Sequence, residues 1–295
     1  MVQGKLRFAL FGNVYQAKKS ANIQSLLSGL ASRNAEIYIE SEFYEFLTQK
    51  QHLEVNATGV FHDKDFEADY VISLGGDGTL LKAASHVCHK ETPIMGINMG
   101  RLGFLADIKP QEIEKALDAL YKGDFTITEH ATIEVEAEGN SFGACHCALN
   151  EIAVLKRDNA SMISIQTHID GELLGNYQAD GLIVSTPTGS TAYSLSNGGP
   201  IIVPRANVLC LTPVAPHSLN IRPIVVADDS EITLNVKSRS HHFLVALDGR
   251  SIKCKEGTRI TIRKSPFKIK IVKRYNTHYF TTLREKLMWG ADKRS

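Results

Sequence analysis

The chain has 295 residues, 43% hydrophobic and 22% charged, the make-up of an ordinary folded protein longer than one core usually serves. Its 33 Lys and Arg nearly balance 32 Asp and Glu, and the formal net charge of +1 gives no electrostatic reason to expect nucleic acid as a partner. No apolar run approaches bilayer length, the residues from Met1 to Arg7 lack the layout of a secretory leader, and five scattered cysteines fit a reducing, cytoplasmic setting.

Strands and helices alternate through the first part of the chain. Leu6 to Phe11 reads as a strand ending at Gly12-Asn13, and a helix is expected from about Lys19 to Ser32. Ile37-Tyr38-Ile39 is a short strand, and Tyr70 to Leu74 is another that runs into Gly75-Gly76-Asp77-Gly78-Thr79. Leu80, Ala84, Val87 and Cys88 then mark the apolar side of a helix. Pro93 to Ile97 is a strand and Gln111 to Tyr121 a helix. This rhythm predicts a Rossmann-like α/β domain over residues 1–124, whose parallel sheet binds ligands beyond the strands' carboxyl ends.

After Gly123-Asp124 the period becomes two, as in Thr132 to Glu136, Ser164 to Ile169, Glu231 to Val236 and Arg259 to Ile262. A β-rich, sandwich-like domain is expected over residues 125–270, followed by a segment 271–295 that is helical from Tyr279 to Trp289.

The Gly75–Thr79 turn is the most informative feature. Flexible peptides and a helix N-terminus attract anions, while Asp77 repels them unless a metal or a hydroxyl comes too. It is neither a Walker A loop nor a full dinucleotide fingerprint, because Leu81 stands at the third glycine's place. The plain alternative is a strand-to-helix turn in which Asp77 bonds its own backbone. A second constellation runs from Asp180 to Ser194. It packs six Ser/Thr hydroxyls (Ser185, Thr186, Thr188, Ser190, Thr191 and Ser194) behind one apolar strand, suited to ribose, adenine or phosphate and otherwise to capping a short helix.

Asn150-Glu151 offers an amide beside a carboxylate, able to clamp a vicinal diol or an adenine edge. Gly96 to Leu105 is a second glycine-rich strand exit, with Asn98 and Arg101. Lys82, about one helical turn past Asp77, is a phosphate candidate or a solvated helix lysine. Cys145-His146-Cys147 is the one cysteine cluster. Further metal ligands at useful spacing are missing, and strand packing is its reading.

Gly75–Thr79, Gly96–Leu105, Asn150-Glu151 and Asp180–Tyr193, in this order, resemble the NAD kinase family, as do Pro213–Leu219 with Arg222-Pro223, Asp248-Gly249 and the tail Leu283–Leu287 before Trp289-Gly290. The first motif alone is shared with diacylglycerol and sphingosine kinases. The hydroxyl loop separates the groups. The resemblance implies transfer of the terminal phosphoryl group of ATP to the 2′-hydroxyl of the adenosine ribose of NAD, giving NADP, with Asp77 as proton acceptor and Mg²⁺ bridging phosphate oxygens.

It further implies a nucleotide-binding set of Gly75, Gly76, Gly78, Thr79, Lys82, Asn98, Asn150, Glu151, Gln178, Asp180, Ser185, Thr188, Thr191, Ala192, Tyr193, Ser194, Leu195, Ser196 and Asp248, with no residue assigned as a direct metal ligand. The C-terminal segment would pack back on the first domain, and the protein would be a homodimer or homotetramer, without nucleic-acid or membrane partners. Gln178 stands where many family members carry Arg, and an uncharged residue there goes with broader use of substrates such as NADH or polyphosphate. Two other readings are a lipid kinase of the same superfamily and a non-catalytic NAD(P)-binding sensor.

Overall fold

The computed structural model describes residues 5–14, 20–100, 103–140, 142–143, 145–157, 161–274 and 278–290. The chain divides into two compact units, residues 1–129 with 269–295, and residues 130–268.

In the first unit, β1 (Arg7–Gly12), β2 (Glu36–Glu40), β3 (Gly59–Phe61), β4 (Tyr70–Gly75) and β5 (Ile94–Asn98) form a parallel sheet in the order β5-β4-β1-β2-β3. The connection from β1 moves one way to β2, and β4 returns on its other side. Such a reversal opens a crevice at the strands' carboxyl ends. α1 (Ser20–Ser32), α2 (Ser41–Glu45), α3 (Asp77–Val87) and α4 (Ile113–Lys122) accompany the sheet. α4 buries Ile113, Ala116, Leu117 and Leu120, one stripe at helical spacing, and ends where Gly123 adopts φ +72°. Phe8, Leu10, Leu26, Leu30, Ile39, Ile72, Ile97 and Leu117 belong to one core.

The second unit is built from two sheets. β6 (Phe125–Ala137), β7 (Cys147–Ala148), β9 (Ile163–Ile169), β10 (Glu172–Ala179), β14 (Ile232–Lys237) and β17 (Arg259–Arg274) contribute to one, with β9 between β10 and β14. The other is antiparallel, with β8 (Glu151–Lys156), β11 (Gly181–Ser185), β12 (Val208–Val214), β13 (Ile224–Ala227), β15 (His242–Leu247) and β16 (Arg250–Lys255) in the order β13-β12-β11-β8-β15-β16. Alternation does the sorting. In β15, Phe243, Val245 and Leu247 are buried while the residues between them are not, and they meet Ile163 and Ile165 of β9 in a common core. α5 (Tyr193–Ser196) is a single turn, and α6 (Tyr279–Leu287) lies in the C-terminal segment that clusters with the first unit. No helix among the described residues is long and apolar enough to cross a membrane.

Candidate active site

Asp77 opens α3 at the end of β4, with Gly76 as the cap residue. Its carboxylate does not bond its own turn in the manner of a simple capped loop. It turns to the glycine-rich exit of β5, where Oδ2 accepts the N–H of Phe104 at 2.8 Å and Oδ1 accepts those of Leu105 and Ala106 at 3.1 and 3.0 Å. Lys286 of α6 brings Nζ to 3.6 Å from Oδ2 and rests 4.6 Å above the ring of Phe104. Gly103 makes this approach possible, because a Cβ there would lie 1.9 Å from Oδ1.

The cradle is braced from behind. Asn98 donates its amide to Ala106 O (3.1 Å) and accepts the N–H of Gly100 (2.7 Å). Lys273 binds Leu105 O (3.0 Å) and Asp107 (2.8 Å). Thr79 is buried, and Gly78 is exposed on the first turn of α3. Lys82 directs its ammonium to Glu40 (3.2 Å) and Glu42 (2.7 Å). Burial lowers its pKa, but these two carboxylates outweigh that and leave it above its ordinary value. Arg101 lies outside the described residues.

In the second unit, Asp248 accepts the N–H groups of Leu149 (2.7 Å), Asn150 (2.8 Å) and Glu151 (3.1 Å). Burial pushes Asp248 above the usual carboxylate range, against those three bonds. Glu151 heads β8 beside it. Burial, then the charge of Asp248, raises Glu151 to about 7, although the N–H of Tyr193 pulls the other way. Its Oε2 is buried without a hydrogen-bond partner. A carboxylate oxygen left so is costly unless a ligand's donor supplies the missing bond.

The hydroxyl loop is mostly turned inward. Thr186 donates to Leu149 O (2.6 Å), Ser190 to Pro187 O (2.7 Å), and Ser194 pairs with Thr212 (2.8 Å). Thr188 pairs with the imidazole of His130 at 2.9 Å, and the Ser185 hydroxyl is buried 3.5 Å from Cys210 O. Gly189 packs on Asn150, whose carbonyl oxygen would lie 2.0 Å from a Cβ. Thr191, Ala192 and Leu195 are half-buried, while Tyr193 and Ser196 are exposed. Asp180 pairs with Lys156 at 2.8 Å. Gln178 is exposed on β10 and lines an open groove with Lys237, Arg239 and His241. Sequence reasoning missed Gly103, the amides of residues 104–106, Lys273, Lys286 and His130. Gly103, Phe104 and Lys286 were visible as parts of motifs, without a role assigned to any of them, while Lys273 carried no local signal.

The first unit holds an acid at the reversal point of a parallel sheet, and the second a partnerless acid oxygen beside a hydroxyl loop; each feature suits an enzyme of the nucleotide-dependent kinase class. The ATP-NAD kinase N-terminal domain family matches residues 8–125, and the ATP-NAD kinase C-terminal domain family matches residues 149–274. NAD kinase of Bacteroides fragilis is 55% identical over 98% of this chain and 100% of its own length. That of Cytophaga hutchinsonii is 40% identical over 98% and 99%. Among solved structures, an Archaeoglobus fulgidus NAD kinase in complex with ATP superposes with a TM-score of 0.74 at 28% identity, covering 96% of this chain and 99% of that one. Yeast NADH kinase complexed with NADH gives 0.87 at 22% identity, covering 98% and 90%, a likeness of fold. The chain belongs to the NAD kinase family.

Proposed function

We propose that the protein transfers the terminal phosphoryl group of ATP to the 2′-hydroxyl of the adenosine ribose of NAD, giving NADP. The observation that carries this reading is the Asp77 carboxylate, oriented by three amides and a lysine at the opening of α3. Phosphoryl transfer depends mainly on positioning and on compensating charge. Asp77 receives the hydrogen bond of the ribose hydroxyl and takes its proton as the new O–P bond forms to the γ-phosphorus, while the bond from that phosphorus to the bridging oxygen breaks and ADP leaves. Lys286 supplies positive charge beside that carboxylate.

Mg²⁺ enters with the nucleotide. Both Asp77 oxygens already accept N–H bonds and form no ready-made metal cage, so the phosphates of the MgATP substrate would hold the ion, which would supply compensating positive charge there. The partnerless oxygen of Glu151, with buried Asn150 beside it, supports their assignment to the dinucleotide's hydroxyls or adenine edge. In this reading Asn98 acts by bracing the cradle, and Thr188 and Ser194 act by shaping the loop that presents residues 191–196. A homo-oligomer and a cytoplasmic setting complete the proposal, the latter supported by five cysteines outside any disulfide.

Incubation with ATP, Mg²⁺ and NAD, followed by an NADP-specific dehydrogenase, tests the activity. NADP is expected to accumulate in proportion to enzyme and time. Phosphorylation of a diacylglycerol without NADP, or tight NAD binding without turnover, would overturn the proposal.

A further inference from the structure

Cys145-His146-Cys147 has no part in the phosphoryl chemistry. Its missing companion comes from the neighbouring strand. β6 and β7 pair antiparallel with Glu134 opposite Cys147. This register gathers the Glu134 carboxylate, the His146 imidazole and the Cys147 thiol, with one ligand atom from each all within 4.8 Å of one another. We propose that these three side chains bind one zinc ion, with water completing the shell.

The chemistry and the distances agree. Thiolate and imidazole favour zinc over magnesium or calcium. Glu134 Oε2 and His146 Nε2 are 3.8 Å apart. A direct charge-assisted hydrogen bond would bring them to about 2.7–2.9 Å. Two ligands of a tetrahedral zinc, at bond lengths of about 2.0–2.1 Å, stand about 3.4 Å apart, a contraction of a few tenths of an ångström. Burial is graded as an entry path requires, because Cys147 is 8% exposed while the His146 side chain is 49% exposed.

The surroundings fit the same ion. The Ser265 hydroxyl, 3.4 Å from Cys147 Sγ, is placed to donate to a thiolate. Arg250 donates to the carbonyls of Cys145 (3.2 Å) and Cys147 (3.0 Å), holding the backbone that carries two of the three ligands. β7 leads directly into Leu149-Asn150-Glu151, the segment whose amides grip Asp248. The zinc would therefore anchor the approach to that segment. Binding releases the thiol proton, so it weakens in acid.

The test uses the full chain without an affinity tag, expressed with zinc and dialysed against metal-free buffer. Elemental analysis is expected to find about one zinc per chain. Competition with a chromophoric chelator should show that Glu134→Ala, His146→Asn and Cys147→Ser each weaken zinc by more than the ~10–100-fold typical of losing an outer-shell partner. Cobalt substituted for zinc should give a near-ultraviolet thiolate band that Cys147→Ser removes and His146→Asn keeps. His146 is half-exposed, so its variant stays informative if Cys147→Ser fails to fold. Loss of zinc from the wild type to a chelator of micromolar affinity, or wild-type affinity in any one folded variant, would overturn the site.

Discussion

Gly103 lies so close to Asp77 that a Cβ at residue 103 would stand 1.9 Å from Oδ1 and 2.6 Å from the carboxyl carbon. Backbone and acid are fitted to each other. The cradle of residues 104–106 holds the carboxylate only because residue 103 has no side chain.

Gly103→Ala should therefore push the carboxylate off its amides while leaving the sheet intact. A displacement of about 1 Å in a positioning group can cost 10²-fold, and turnover is expected to fall by at least about that factor. Circular dichroism and dinucleotide affinity should remain close to wild type. Turnover within about threefold of wild type would show that the cradle does not matter to catalysis.

Asp77→Asn removes the proton acceptor and turns an amide NH₂ toward one of the backbone donors. Turnover should drop by about 10²–10⁴-fold, with KM for NAD changing far less. Unpairing the Phe104 N–H should also cost about 1–2 kcal/mol, read in urea unfolding. Near-normal turnover would remove Asp77 from its role.

Glu151 links pH to stability. Its carboxyl is raised from 4.5 to about 7 by burial and by Asp248. Between those values the native state binds more protons than the unfolded chain, so the contribution is favourable at low pH and is lost as pH rises toward 7. Glu151→Gln should leave stability near pH 4 almost unchanged and raise it at pH 8, by at most about 3 kcal/mol. Thermal midpoints measured across that range without ligand provide the check, and equal effects at both ends would contradict it. The same variant should bind NAD more weakly at pH 8, because the partnerless oxygen is lost as an acceptor.

Gln178 bears on the choice between NAD and NADH. An arginine there would add a permanent cation among Lys237 and Arg239. Following the resemblance, Gln178→Arg is expected to shift kcat/KM in favour of NAD over NADH, by about tenfold for a change in selectivity of about 1.4 kcal/mol. An unchanged ratio would show that this position does not set selectivity.

The hydroxyl loop shows where reading a sequence stops. Its composition marked a nucleotide loop, yet Thr186, Ser190 and Ser194 spend their hydroxyls on Leu149 O, Pro187 O and Thr212. Lys82 was placed one turn past Asp77 for a phosphate, and its ammonium meets Glu40 and Glu42, 42 and 40 residues away. Asp77 itself was plain from five contiguous residues. Its amide partners stand 27 to 29 residues further on, and its lysine comes from the last helix.

Strand and helix types, the change of texture after Gly123 and the family motifs follow from local periodicity and contiguous residues, and for these the amino-acid order was enough. Which polar groups stay available was decided only when the chain folded. A buried donor or acceptor must be matched, and its match usually comes from a distant segment. That is why Asn98, Thr188 and Ser194 turned to the protein, while Glu151 kept one oxygen without a partner.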